Sequence, residues 1–203
     1  VLCVIGAIPI PAAIHNIFVP QTIPEALREY EEAGTLEKLY ENGILSGYRV
    51  ETHGENGELD SVQIFDTAGN SIRNELYNSD GTLLGYVLYE YDVTGYCKRV
   101  DQYDNTGMIY SAYEIDSDGN EVKREIYTDG RLTQTWITEY DDAGNMVQSE
   151  VYIGGTLRYV NEYDQAGNLI RIESYDDNGD LFGYGLYEYD SDGNQIKEES
   201  YDP

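Results

Sequence analysis

The chain has 203 residues, with 39 acidic against 12 basic side chains and a formal net charge of −27. A charge of that sign and size repels phosphate backbones and anionic lipid surfaces, which excludes nucleic-acid binding and docking on such membranes. Acidic chains poor in aromatics are disordered, but 21 tyrosines are present here. They predict a folded, strand-rich protein, because tyrosine favours strands and combines an apolar ring with a polar tip. Two cysteines (Cys3, Cys97) and two histidines (His15, His53) form no zinc-type spacing and leave little for histidine-based catalysis.

In chain order, residues 1–20 open with the uncharged run from Val1 to Ala13, too short to cross a bilayer as a helix and interrupted by Pro9 and Pro11. Two readings stand for it: the tail of a truncated signal peptide with Ala12 and Ala13 near the cleavage point, or an apolar structural arm. Residues 21–34 carry a helix signal. Thr22-Ile23-Pro24-Glu25 reads as a capping box with proline in the first turn, Ile23, Leu27 and Tyr30 fall on one helical face, and Gly34 ends the segment. A short helix here is expected to cap the open end of a repeat array.

Residues 35–203 are that array. Glycines at 43, 57, 69, 81, 95, 107, 119, 130, 144, 155, 167, 179 and 193 recur at steps of about 12 residues, most of them after Asp, Asn, Ala or Ser. This chemistry predicts type I turns closed by a left-handed glycine, in three-residue hairpin loops. Alternation between the glycines predicts strands: Leu132, Gln134, Trp136, Thr138 and Tyr140 share one face, and Leu157, Tyr159, Asn161 and Tyr163 repeat the pattern. From Gly81 to Gly130 and from Gly130 to Gly179 the step is 49 residues, a block of four strands. Gly47, Gly85 and Gly183, each followed by tyrosine, are expected to bend the sheet once per block. The expected fold is all-β: an antiparallel meander of tandem hairpins in one elongated or coiling sheet, with a short N-terminal helix. A propeller is disfavoured, because the blocks lack the long connections between blades.

Tyr91-Asp92-x-x-Gly95, Tyr140-Asp141-x-x-Gly144-Asn145, Tyr163-Asp164-x-x-Gly167-Asn168 and Tyr189-Asp190-x-x-Gly193-Asn194 resemble the YD motif of RHS/YD repeats, and residues 40–48, from Tyr40 to Tyr48, resemble a MORN-variant repeat. Together these cover roughly residues 40 to 203. The paired period is longer than the usual RHS unit, and the basic residue that often follows the YD glycine is mostly missing. The resemblance implies a bacterial surface or secreted repeat protein with no catalysis in the repeat itself.

Two constellations are candidate sites. Glu114, Asp116, Asp118, Gly119 and Glu125 fall in an EF-hand register, as do Glu188, Asp190, Asp192, Gly193 and Glu199. An EF-hand, however, lies between helices and takes an apolar residue where Glu121 and Gln195 stand. What survives is weak surface Ca2+ binding at Asp116, Asp118, Asp190 and Asp192, set against the plainer reading that hairpin turns need Asp; no other cofactor is expected. Trp136, Tyr140, Tyr159 and Tyr163 form an aromatic stripe that either stacks sugar rings or packs as cross-strand ladders. No G-x-S-x-G elbow, phosphate loop or H-E-x-x-H occurs, and carboxylates recur in every turn rather than as one special pair, so an enzyme is not expected. The expected role is a non-catalytic spacer or interaction scaffold, extracellular or on a bacterial cell surface, part of a larger chain, with protein or carbohydrate partners and no membrane insertion by the repeats. The alternatives are a glycan-binding module and an intracellular MORN-variant interaction or antitoxin-like repeat.

Overall fold

The computed structural model describes residues 22–202. The segment 1–20, whether signal remnant or arm, lies outside the described residues. A 3-10 turn, Glu25–Leu27, runs into a short helix, α1, at Arg28–Glu32. Fourteen strands follow: β1 (Leu36–Glu41), β2 (Ile44–His53), β3 (Leu59–Phe65), β4 (Ser71–Tyr77), β5 (Leu83–Tyr91), β6 (Cys97–Asp104), β7 (Ile109–Ile115), β8 (Glu121–Thr128), β9 (Arg131–Tyr140), β10 (Met146–Ile153), β11 (Thr156–Tyr163), β12 (Leu169–Tyr175), β13 (Leu181–Tyr189) and β14 (Gln195–Tyr201). They make one meander in the order β1 to β14, as the spacing of the turn signals predicts. The chain forms two compact units, divided between Ile109 and Tyr110.

The turns come in two kinds. Where the chain reads Asp-x-x-Gly, the amide of the Asp donates to the carbonyl four residues on, and the glycine amide donates back to the Asp carbonyl, as in Asp141/Asn145 (2.9 Å) and Gly144/Asp141 (2.9 Å). These are the expected three-residue loops, and Gly144 sits at φ 82°, where a side chain would be strained. Three hairpins differ. Glu41 pairs directly with Ile44, Thr128 with Arg131 and Ile153 with Thr156. Their two-residue loops, Asn42-Gly43, Asp129-Gly130 and Gly154-Gly155, have positive φ at both positions, the type I′ geometry that matches strand twist.

The strand glycines do something more specific than bend the sheet. A register shift precedes each, leaving Ser46, Leu84 and Phe182 as bulged residues. A Cβ on Gly85 would lie 2.5 Å from the Tyr103 carbonyl oxygen, and one on Gly183 would lie 2.8 Å from that of Tyr201. Glycine lets the neighbouring backbone close in, and the next residue stacks its ring on the opposite face of the sheet. Tyr86 stacks on Tyr103 and Tyr184 on Tyr201, each with centroids 4.7 Å apart.

The first unit has a compact apolar core. Ile23, Leu27, Tyr48, Val50 and Phe65 cluster, with Tyr30, Leu36 and Leu45 packed on them, so the helical segment covers one face of β1–β3. Leu27 and Tyr48 are both only 1% exposed. The Thr22 capping box does not form: the helical segment starts after Pro24 without a side-chain cap. The expected stop does form, with Gly34 at φ 74° and Thr35 donating back to the Tyr30 carbonyl. Pro24 lies against the β3–β4 turn, where a Cβ on Gly69 would meet its ring at 2.8 Å. Leu27→Ala is expected to lower unfolding free energy by about 2–5 kcal/mol, measured by urea denaturation.

Candidate functional site

Two recurrent sets of carboxylates stand out among the described residues. The first lies in the turns. Asp141 Oδ1 accepts the amides of Ala143 and Asn145 (both 2.9 Å), and the Asn145 side-chain amide donates to Asp141 Oδ2 (3.1 Å). Asp66, Asp116, Asp164 and Asp190 repeat this with Asn70, Asn120, Asn168 and Asn194, whereas Asp92 and Asp104 use the hydroxyls of Thr94 and Thr106. Hydrogen bonds from Asn145 hold the Asp141 carboxyl below its ordinary range, and those from Asn168 do so for Asp164.

The second set lies on the even-numbered strands, and nothing in the turn pattern announces it. A cation or amide, a carboxylate and a phenol follow one another at every second residue along one strand face. On β4, Arg73 Nε donates to Glu75 Oε1 (2.7 Å) and Tyr77 Oη to Glu75 Oε2 (2.6 Å). On β12, Arg171, Glu173 and Tyr175 repeat this at 2.5 Å for both bonds. Lys123-Glu125-Tyr127, Gln148-Glu150-Tyr152 and Lys197-Glu199-Tyr201 do the same on β8, β10 and β14. On β2 the set is Arg49, Glu51 and His53, and on β6 Arg99 pairs with Asp101, two residues before Tyr103. The signal in the sequence is Arg/Lys/Gln-x-Glu/Asp-x-Tyr/His.

The register explains why the clamp is needed. Cross-strand partners share a face. Glu75 lies between Val62 and Tyr86, and Glu173 between Val160 and Tyr184. Each carboxylate is thus partly dried by apolar neighbours, and a partly dried charge requires paired partners. Arg73 and Arg171 also lie over the Tyr86 and Tyr184 rings, 3.9 and 5.1 Å from their centroids. For Glu75, burial raises the pKa, but the bonds from Tyr77 and Arg73 outweigh it and hold the carboxyl low. Tyr175 and Arg171 likewise hold Glu173 low, and the same bond pushes Tyr175 up to about 12.

The sequence-derived site residues fall as follows. Trp136 and Tyr159 both stand opposite Val151, on strands flanking β10, and therefore share a face. Trp136 is half-buried and Tyr159 is 41% exposed. Tyr140 and Tyr163 sit at the ends of β9 and β11, and their hydroxyls turn to the protein: Tyr140 Oη donates to the Glu121 carbonyl (3.1 Å), and Tyr163 Oη lies 3.4 Å from Ser149 Oγ. Tyr91 similarly donates to the Ser71 carbonyl (2.8 Å). The YD tyrosine is thus a strand-end brace at Tyr91 and Tyr140. Of the calcium candidates, Asp116 and Asp190 spend both carboxylate oxygens on their own turns, while Asp118 and Asp192 lie exposed within the loops. Among the described residues, no group of three or more His, Cys, Asp or Glu is arranged to hold a metal. No helix among them is long and apolar enough to cross a membrane.

No protein-family model matches the sequence, and a search of curated proteins returns no match. Among solved structures, the chain is similar to TcdB2-TccC3-TEV at 13% identity, covering 80% of this chain and 13% of that one, with a TM-score of 0.26. A form of TcdB2-TccC3 without its hypervariable C-terminal region gives 12% identity, coverage of 78% and 14%, and a TM-score of 0.18. A Bacteroides fragilis protein of unknown function (BF3112) gives 14% identity, coverage of 76% and 91%, and a TM-score of 0.17. The chain thus spans about one seventh of the length of the first two.

The clamp makes a pH prediction. Because Glu173 is lowered, its contribution to stability is present above the ordinary carboxylate range and is lost as pH falls through its lowered value. Because Tyr175 is raised, its contribution is complete below the ordinary phenol value of about 10 and is lost as pH rises through about 12. Glu173→Gln should return Tyr175 towards the ordinary phenol value, read by NMR of ring-labelled tyrosine across an alkaline titration.

Proposed function

We propose that the chain is a non-catalytic repeat scaffold, a spacer that presents neighbouring segments of a larger bacterial surface or secreted protein. The carrying observation is equivalence. Turn carboxylates and strand clamps recur along the array in the same chemical roles, with their oxygens committed to backbone amides, phenols and cations. A catalytic site needs one pair of groups whose environments differ from the rest. Here the carboxylates of successive hairpins share one environment, which serves folding. The YD-like motifs support the same reading, since the Tyr91 and Tyr140 hydroxyls bind main-chain carbonyls and the Asp residues close turns. The high negative charge suits a protein that resists self-association. The MORN-like stretch around Tyr40 to Tyr48 supports an intracellular interaction role less well, because Tyr48 is sealed under the helical segment.

An antibody raised against the second unit, applied to intact cells of the source bacterium, tests the placement. Labelling of intact cells, removed by external protease, is the expected result. Labelling only after permeabilisation contradicts it.

A further inference from the structure

The two faces of the second unit differ in charge. On one face, a row of successive cross-strand partners runs Ile137, Glu150, Val160, Glu173 and Tyr184. The adjoining row runs Glu139, Gln148, Glu162, Arg171 and Leu186. On the other face, one row runs Trp136, Val151, Tyr159, Ser174 and Gly183, and the next runs Thr138, Ser149, Asn161, Ile172 and Gly185. Neither of these two rows contains a carboxylate, in a chain of net charge −27. The cation at the head of the first row, Arg124 opposite Trp136, is neutralised by a two-pronged pair with Glu121 (2.8 Å for each bond).

The first unit shows how an apolar face of this array is finished. Its Tyr48, Val50 and Phe65 are sealed by the helical segment. On β9–β11 the central row is instead Thr138, Ser149 and Asn161, a line of hydroxyl and amide groups beside two aromatic side chains. Such a line does not call for an apolar cover. Asn161 donates to Ser149 Oγ (3.1 Å), which leaves its amide carbonyl and the Thr138 hydroxyl as hydrogen-bonding groups next to the rings.

We propose that this face binds an extended, uncharged, β-linked glycan laid across β9–β11, with Trp136 and Tyr159 stacking on alternate sugars and Thr138 and Asn161 bonding their hydroxyls, while the buried Ser149 holds Asn161 in place. Charge narrows the class of ligand: the array's negative field repels an anionic polysaccharide, and these two rows hold no charged side chain to pair with a charged one. Spacing decides its run. Strands lie about 4.8 Å apart, so rings on β9 and β11 stand roughly 10 Å apart, the length of a disaccharide in an extended β-linked chain. Tyr140 and Tyr163 are set aside as stacking residues, because their hydroxyls are engaged at the strand ends.

Trp136 is the one tryptophan of the chain, so its fluorescence reports this site alone. Titration of the full chain with cellohexaose should give a saturable change in tryptophan emission, and an oligogalacturonate of equal length should give none. Tyr159→Ala should weaken cellohexaose binding about tenfold, the loss expected of one stacking contact. Ile137→Ser, on the opposite face, should leave binding unchanged. Asn161→Asp, which puts a carboxylate into the neutral row with little change of shape, gives a second reading should Tyr159→Ala unfold, and it too should weaken binding. No emission change with cellohexaose, an equal response to the anionic sugar, or binding untouched by Tyr159→Ala and Asn161→Asp would overturn the proposal. Binding to whole cells has no part in this test, so its failure leaves the scaffold role standing.

Discussion

Most hairpins of this protein turn on one carboxylate. An Asp at the end of a strand accepts two amides of its own loop, at the second and fourth residues on, while its backbone closes the turn. A three-residue loop leaves those amides without ladder partners. The Asp meets both, and the glycine that follows takes the left-handed conformation the loop needs. Part of the acidity of the chain is a consequence of repeating this solution along the array.

A further set of carboxylates answers a second constraint. A single sheet has two faces and little apolar matter to bury against them. In the first unit the helical segment and its five-residue cluster form a small core. Elsewhere the protein relies on clamps that allow half-dried carboxylates to sit between Val, Ile and Tyr. These charged hydrogen bonds are local to each hairpin. Local, repeated stabilisation is the energetic pattern of quasi-one-dimensional repeat proteins, in which each unit depends mainly on its neighbours. The arginine–tyrosine–tyrosine stacks follow the same logic: Arg73, Tyr86 and Tyr103 recur as Arg171, Tyr184 and Tyr201, two four-strand blocks further along.

The turns and strands were legible in the sequence because their chemistry is confined to a few consecutive residues. Asp141-x-x-Gly144 needs no distant partner to make its loop. The two-residue loops at Asn42-Gly43, Asp129-Gly130 and Gly154-Gly155 were blurred into the three-residue class, because the same glycine signal serves both and only strand pairing separates them. Gly85 was legible as special, but not as the place where the Tyr103 carbonyl closes in, since that depends on register. For the site, alternation alone placed Trp136 and Tyr159 on one face. It could not tell that Tyr140 reaches the Glu121 carbonyl, nor that Glu75 and Glu173 are clamped, because strand partners create both needs. Thr22 shows the reverse case: its local capping signal went unused, because the helical segment begins only after Pro24.

Amide hydrogen exchange at the turns tests the central role of the turn carboxylate most directly. The amides of Ala143 and Asn145 donate to the Asp141 side chain rather than to a neighbouring strand. They should exchange slowly in the native protein, and Asp141→Ala should release those two while the equivalent amides of Ala166 and Asn168 stay protected. Exchange of all four at the rate of an unfolded chain in the native protein would contradict the account.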